Sequence, residues 1–163
     1  RSLSCVDMRA EVEPRPMTLP ELLLSDERRT AVVRDCVQLV DAEVARRRGV
    51  SGFALRNGYK MVKKLNGGKM IPAAVNDLLP EFADAIEPFH AEYRGATSES
   101  FAQYISGREG QLSDALLRIT DEKAHHAENR VLKGVYDKLR PTAKRNLDES
   151  MPEVTKLIDR HQT

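Results

Sequence analysis

Two copies of Glu-x-x-His are the residues whose type and spacing come nearest to a reactive centre: Glu87-Pro88-Phe89-His90 and Glu122-Lys123-Ala124-His125. On a helix this i, i+3 spacing sets a carboxylate and an imidazole on one side. In helical bundles two such pairs, with two further carboxylates, hold a pair of iron or manganese ions. Glu43 is a candidate third carboxylate. The set remains incomplete, because no fourth inward carboxylate is expected, Pro88 interrupts the first pair, and the second lies in a polar stretch beside His126 and Glu128. Solvated surface residues are the competing reading, since a metal site needs its whole ligand set. No cofactor is implied.

Nucleophilic chemistry finds less support. Cys5 falls in an N-terminal stretch and Cys36 on the apolar side of an expected helix, where a thiol packs as a small hydrophobe. No serine sits in a strand-to-helix elbow, and Asn66-Gly67-Gly68-Lys69 is too short for a phosphate-binding loop. Tyr59 and Tyr136 continue apolar stripes and are expected as core tyrosines with their hydroxyls at the rim. The chain is therefore read as non-enzymatic.

Charge patterning carries the strongest signal. Net charge is only +1, yet the window from Val44 to Asn76 holds no acid and eight bases: Arg46, Arg47, Arg48, Arg56, Lys60, Lys63, Lys64 and Lys69. Arg56, Lys60, Lys63 and Lys64 follow at i, i+4, i+7 and i+8, one face of a helix, while Leu55, Tyr59, Val62 and Leu65 take another. Such a basic face is a candidate site for anions, whether lipid headgroups or the phosphates of non-specific nucleic acid. The competing reading is internal: Asp77, Glu81 and Asp84 recur at i, i+4 and i+7 on the next helix and could pair with it.

The elements that must position these groups are all helical. Aromatic residues make up 5% of the 163, tryptophan is absent, and apolar residues recur at threes and fours. Thr18 and Pro20 open a short helix, and Ser25 caps one expected over residues 26–48 that Gly49 ends. Ser51 starts the basic helix, stopped at Asn66-Gly67-Gly68. Pro72 opens a fourth, kinked or split by Pro80 and ending near Pro88. A short helix around Phe101, Tyr104 and Ile105 and a long one over residues 111–139 follow, with Pro141 and Pro152 each opening a further short segment. Residues 1–16 read as a mobile N-terminal extension, and residues 17–163 as one all-α domain, a multi-helix bundle. No apolar run approaches the roughly 20 residues of a transmembrane segment, and two unpaired cysteines suit a reducing, cytoplasmic location.

An internal echo runs through that domain. Val32, Cys36, Leu39 and Asp41 align with Leu112, Leu116, Ile119 and Asp121; Leu55 and Tyr59 with Leu132 and Tyr136; Pro72, Ala74 and Leu78 with Pro141, Ala143 and Leu147. Pro80, Glu81 and Ile86 match Pro152, Glu153 and Ile158. The alignment predicts two tandem repeated halves, about 19–93 and 98–161, related by a pseudo-two-fold axis. A groove between them could hold a small apolar ligand.

The motifs Gly49-Val50-Ser51-Gly52-Phe53-Ala54-Leu55, Gly58-Tyr59, Val62-Lys63-Lys64, Leu78-Leu79-Pro80-Glu81-Phe82 and Leu139-Arg140-Pro141, in that order, resemble a family of small helical proteins of actinobacterial type, a domain of unknown function. The resemblance spans about Met17 to His161 and implies no activity. The expectation is a helical binding or scaffolding protein with an unidentified protein partner or self-association. The alternative is docking on an anionic surface, lipid or nucleic acid, through the basic helix, and the outsider is a carboxylate–histidine metal protein.

Overall fold

A computed structural model describes residues 13–163, and every regular element among them is helical. Most of the expected N-terminal extension, with Cys5, lies outside the described residues. Its last four, residues 13–16, run exposed into the first helix, with Arg15 ion-paired to Glu21.

The first helix, α1 (Leu19–Leu23), is a single turn held by a complete capping box. The Thr18 hydroxyl accepts from the Glu21 N–H while the Glu21 carboxylate accepts from the Thr18 N–H. Ser25 precedes α2 (Asp26–Arg46), whose first turn carries Asp26 and Glu27 and whose last carries Arg46, matching the helix dipole at both ends. After a two-residue extended joint, α3 (Gly49–Lys63) runs to a short 3-10 turn, Leu65–Gly68, in which Asn66 and Gly67 take left-handed dihedrals that stop the helix. Then come α4 (Met70–Arg94), α5 (Phe101–Ile105, capped by Ser100), α6 (Glu109–His125) and α7 (Arg130–Gln162).

The expected prolyl boundaries at Pro88, Pro141 and Pro152 are corrected, and Pro80 does not split its helix. Pro80 and Pro88 lie inside α4, and Pro141 and Pro152 inside the 33 residues of α7. Each interior proline forfeits one backbone hydrogen bond at a cost of about 3 kcal/mol, which the packing of both long helices against several neighbours offsets. The expected helix over residues 111–139 is instead broken after His125, where Asn129 begins α7 by accepting the Leu132 N–H at 3.0 Å.

The core is built by α1, α4, α5, α6 and the C-terminal part of α7, through Leu19, Leu23, Leu79, Ile86, Phe101, Ile105, Leu112, Met151 and Ile158, with Val32 from α2. Helix α3 stands outside it and buries only Gly52 and Val62. It is fastened by close backbone approaches. A Cβ at Gly52 would lie 2.7 Å from the Arg47 carbonyl carbon, and one at Gly58 would lie 2.9 Å from Val135 of α7. Only glycine lets α3 come so near both neighbours.

Aligned positions of the two halves make similar contacts. Tyr59 donates to Asp41 at 2.6 Å, with Lys63 paired to the same carboxylate, and Tyr136 donates to Asp121 at 2.6 Å, with Arg140 paired there. The joints differ: the left-handed turn at residues 65–68 separates α3 from α4, whereas the aligned stretch at Arg140-Pro141 is continuous helix.

Candidate anionic-surface interface

Of the four cations expected on one face of α3, the structure divides two from two. Arg56 turns toward α2 and donates to the Arg47 carbonyl, satisfying an orphan acceptor at the C-terminus of that helix. Lys63 lies 2.9 Å from Asp41 and near the Tyr59 ring. Lys60 and Lys64 are exposed, and neither makes an ion pair or side-chain hydrogen bond among the described residues. The alternative pairing with α4 does not form: Glu81 bonds Lys123 of α6 at 2.5 Å, away from the basic helix.

The inward stripe is as expected, with Val62 buried and Leu55, Tyr59 and Leu65 half-buried. A second apolar face escaped the sequence reading. Val50, Phe53 and Met61 point outward, 89%, 60% and 54% exposed, with Val131 of α7 beside them at 43%. Isolated apolar residues on a surface are ordinary, but three large ones, Phe53, Met61 and Val131, lining one groove are not. That groove, between α3 and the start of α7, encloses ≈ 480 Å³, with Gly58 and Gly134 in its wall. Its lining includes Arg130 and Lys138 and no carboxylate. The signal was present in the sequence, since Val50, Ala54 and Met61 follow helical spacing. It was masked by the stronger inward stripe of the same helix.

The residues proposed as metal ligands are not gathered. Glu87 accepts from the Leu19 N–H at 2.6 Å and from Arg94 at 2.8 Å, tying α1 to α4. Burial works to raise its carboxyl pKa, and Arg94 with the Leu19 N–H outweighs that and holds it below the usual range. His90 is 2% exposed, packed edge-on to Phe101, with its ring nitrogens on Gln162 and Arg94. Glu122 and His125 sit exposed at the end of α6. Among the described residues no three His, Cys, Asp or Glu approach as a ligand set. In this arrangement the His90 ring nitrogens are both taken up by protein partners and Glu87 joins α1 to Arg94, with Glu122 and His125 outside that cluster.

Glu43 belongs to a network instead. The Arg47 side chain, 10% exposed, donates to Glu43, to the Asn146 carbonyl at 2.7 Å, to the Ser150 hydroxyl at 2.6 Å and to Glu149. Arg46 takes the outer side of Glu43 at 2.7 Å. Burial raises the Glu43 carboxyl, and Ser150, Arg46 and Arg47 together overcome it, leaving the pKa lowered. This network clamps the end of α2 onto α7 and fixes where α3 starts. Behind it a mostly apolar depression of ≈ 320 Å³, lined by Leu39, Leu55, Leu117, Tyr136 and Leu139 among others, separates α2 and α3 from α6 and α7.

No helix among the described residues is long and apolar enough to cross a membrane. No curated protein and no solved structure matches the chain. One family model does, over residues 19–162, which takes in every helix of the fold. The chain belongs to that family, a family of unknown function, DUF6918.

Proposed function

We propose that this protein is a non-catalytic binding module that docks through the outer face of α3 and the start of α7, and that the surface it meets is an acidic lipid bilayer. One observation carries the reading: Val50, Phe53, Met61 and Val131 stand exposed with Lys60, Lys64, Arg130 and Lys138 around them and no carboxylate lining the groove. Apolar side chains entering the headgroup boundary, with cations beside them, are the two components of interfacial attachment. A second copy of the chain fits less well, because a two-fold pairing would bring these cations against their own images. Phosphates of nucleic acid would engage the lysines and leave Phe53 and Met61 without use.

Cys36 is a free thiol packed against the core, in keeping with a cytoplasmic location. The matched Asp–Tyr–cation contacts support reading the two halves as a duplication.

Sedimentation with acidic and neutral vesicles tests the docking reading. Lys60→Glu/Lys64→Glu should lower partitioning onto acidic vesicles by at least about 30-fold, at about 1 kcal/mol for each lysine removed. Phe53→Ser/Met61→Ser should weaken it as well, and salt should weaken the wild type. Absence of sedimentation, or sedimentation indifferent to both variants, refutes the proposal. Salt-sensitive retention of random-sequence DNA or RNA without vesicle binding would transfer the face to nucleic acid.

A further inference from the structure

At the point where α2 passes to α3, four guanidinium groups converge. Arg46, Arg47, Arg48 and Arg145 line one polar pocket of ≈ 500 Å³ together with Ser51, Asn146 and a single carboxylate, Glu149. The carboxylates within reach are already spent: Glu149 and Glu43 bond Arg47, and Glu43 also takes Arg46. That leaves Arg48, which has no ion pair or side-chain hydrogen bond among the described residues, and Arg145, whose side-chain partner is the neutral Ser51 hydroxyl at 3.3 Å. The first turn of α3 opens on the same pocket through Ser51. It has no side-chain cap and no acidic residue, so its N–H groups add positive potential to that of the arginines. Arg48 and Arg145, like charges with no carboxylate of their own among the described residues, are costly to hold together, and the Arg47 network with Gly52 holds the backbone that carries Arg48 in place.

We propose that this pocket binds a phosphomonoester group, with Arg48 and Arg145 supplying forked donors to its oxygens and Ser51 and the first turn of α3 completing the contacts. A dianionic phosphate matches two guanidinium forks and a set of N–H donors better than a single carboxylate does. The phosphate can belong to a soluble phosphomonoester or to a lipid headgroup. Val50, 89% exposed and next in sequence to Ser51, places the pocket at one end of the apolar docking face. The site does not depend on that face, and the two readings fail separately.

The test is calorimetric titration of the full chain with inorganic phosphate, together with sedimentation on phosphatidate vesicles and on phosphatidylserine vesicles of matched surface charge. Arg48→Gln/Arg145→Gln changes two exposed side chains and should leave the melting temperature in place while weakening phosphate binding at least about tenfold. Lys60→Gln/Lys64→Gln should leave phosphate affinity unchanged. A preference for phosphatidate that disappears in the arginine variant identifies a lipid headgroup. Phosphate binding without such a preference identifies a soluble ligand, and both results support the site. No saturable phosphate binding, or binding that survives Arg48→Gln/Arg145→Gln, overturns it whatever the vesicles do. Phosphate binding with no vesicle binding at all retains the site and rejects the docking face.

Discussion

Replacing Arg47 by Met keeps the aliphatic stem and removes the guanidinium that joins α2 to α7. The side chain is 10% exposed and its donors reach Glu43, Glu149, Ser150 and the Asn146 carbonyl. Breaking a buried ion pair from one side costs about 3–5 kcal/mol, mostly for the charge left behind. Here Glu43 would keep Arg46 and the Ser150 hydroxyl, each at 2.7 Å, so the lower end applies. The expected loss is about 3 kcal/mol, equivalent to roughly 6–12 °C in melting temperature for a chain of this size. Urea unfolding followed by circular dichroism measures it, and an unchanged m-value would keep the comparison two-state. The sign with pH follows from Glu43, whose folded pKa is lowered by its hydrogen bonds and neighbouring arginines against the opposing effect of burial. A carboxylate so held stabilises the fold above its unfolded pKa, near 4.3, and that contribution disappears as pH falls through the folded value. Arg47→Met removes part of it, so the gap between wild type and variant should narrow below about pH 4. A loss under about 1 kcal/mol at neutral pH, or a gap that stays constant into acid, would show that the network is not what fastens the α2–α7 joint.

Gly58→Ala should destabilise by about 1 kcal/mol, the strain against Val135 and Leu139 exceeding the gain in helix propensity, and thermal melts will show it. His90→Ala should cost about 3 kcal/mol because it empties a site between Phe101 and Tyr93, whereas His125→Ala should stay within about 0.5 kcal/mol. Stoichiometric iron, manganese or zinc on elemental analysis, lost when either histidine is replaced, would support the metal reading. The Cys36 thiol is pushed up to about 11 by burial and then by Asp35, so in a Cys5→Ser background it should react with a disulfide reagent at neutral pH far more slowly when folded than in urea.

Much of the fold was legible because helix-forming signals are local. The helix start at Thr18, the stop at Asn66-Gly67-Gly68 and the inward stripe of α3 each depend on residues a few positions apart, and each lies where the sequence put it. Prolines misled for the same reason. A proline's local cost is visible in sequence, while the packing that outweighs it inside α4 and α7 comes from residues far along the chain. The paired aspartates and tyrosines of the two halves could be aligned by spacing, but that each tyrosine would meet its aspartate required the helices to be packed.

The candidate sites divide in the same way. Sequence alone determined that the bases between Val44 and Asn76 stand apart from any acid and that α3 is amphipathic, since both are properties of order along one element. Tertiary structure decided which cations keep their charge available: Asp41 takes Lys63, the Arg47 carbonyl takes Arg56, and Lys60 and Lys64 are left to solvent. It also brought Arg145, more than ninety positions away, to Arg48 and Ser51. The physical reason is that a charge is neutralised through space, by whichever partner the fold delivers within a few ångströms, and spacing along the chain carries no record of that partner.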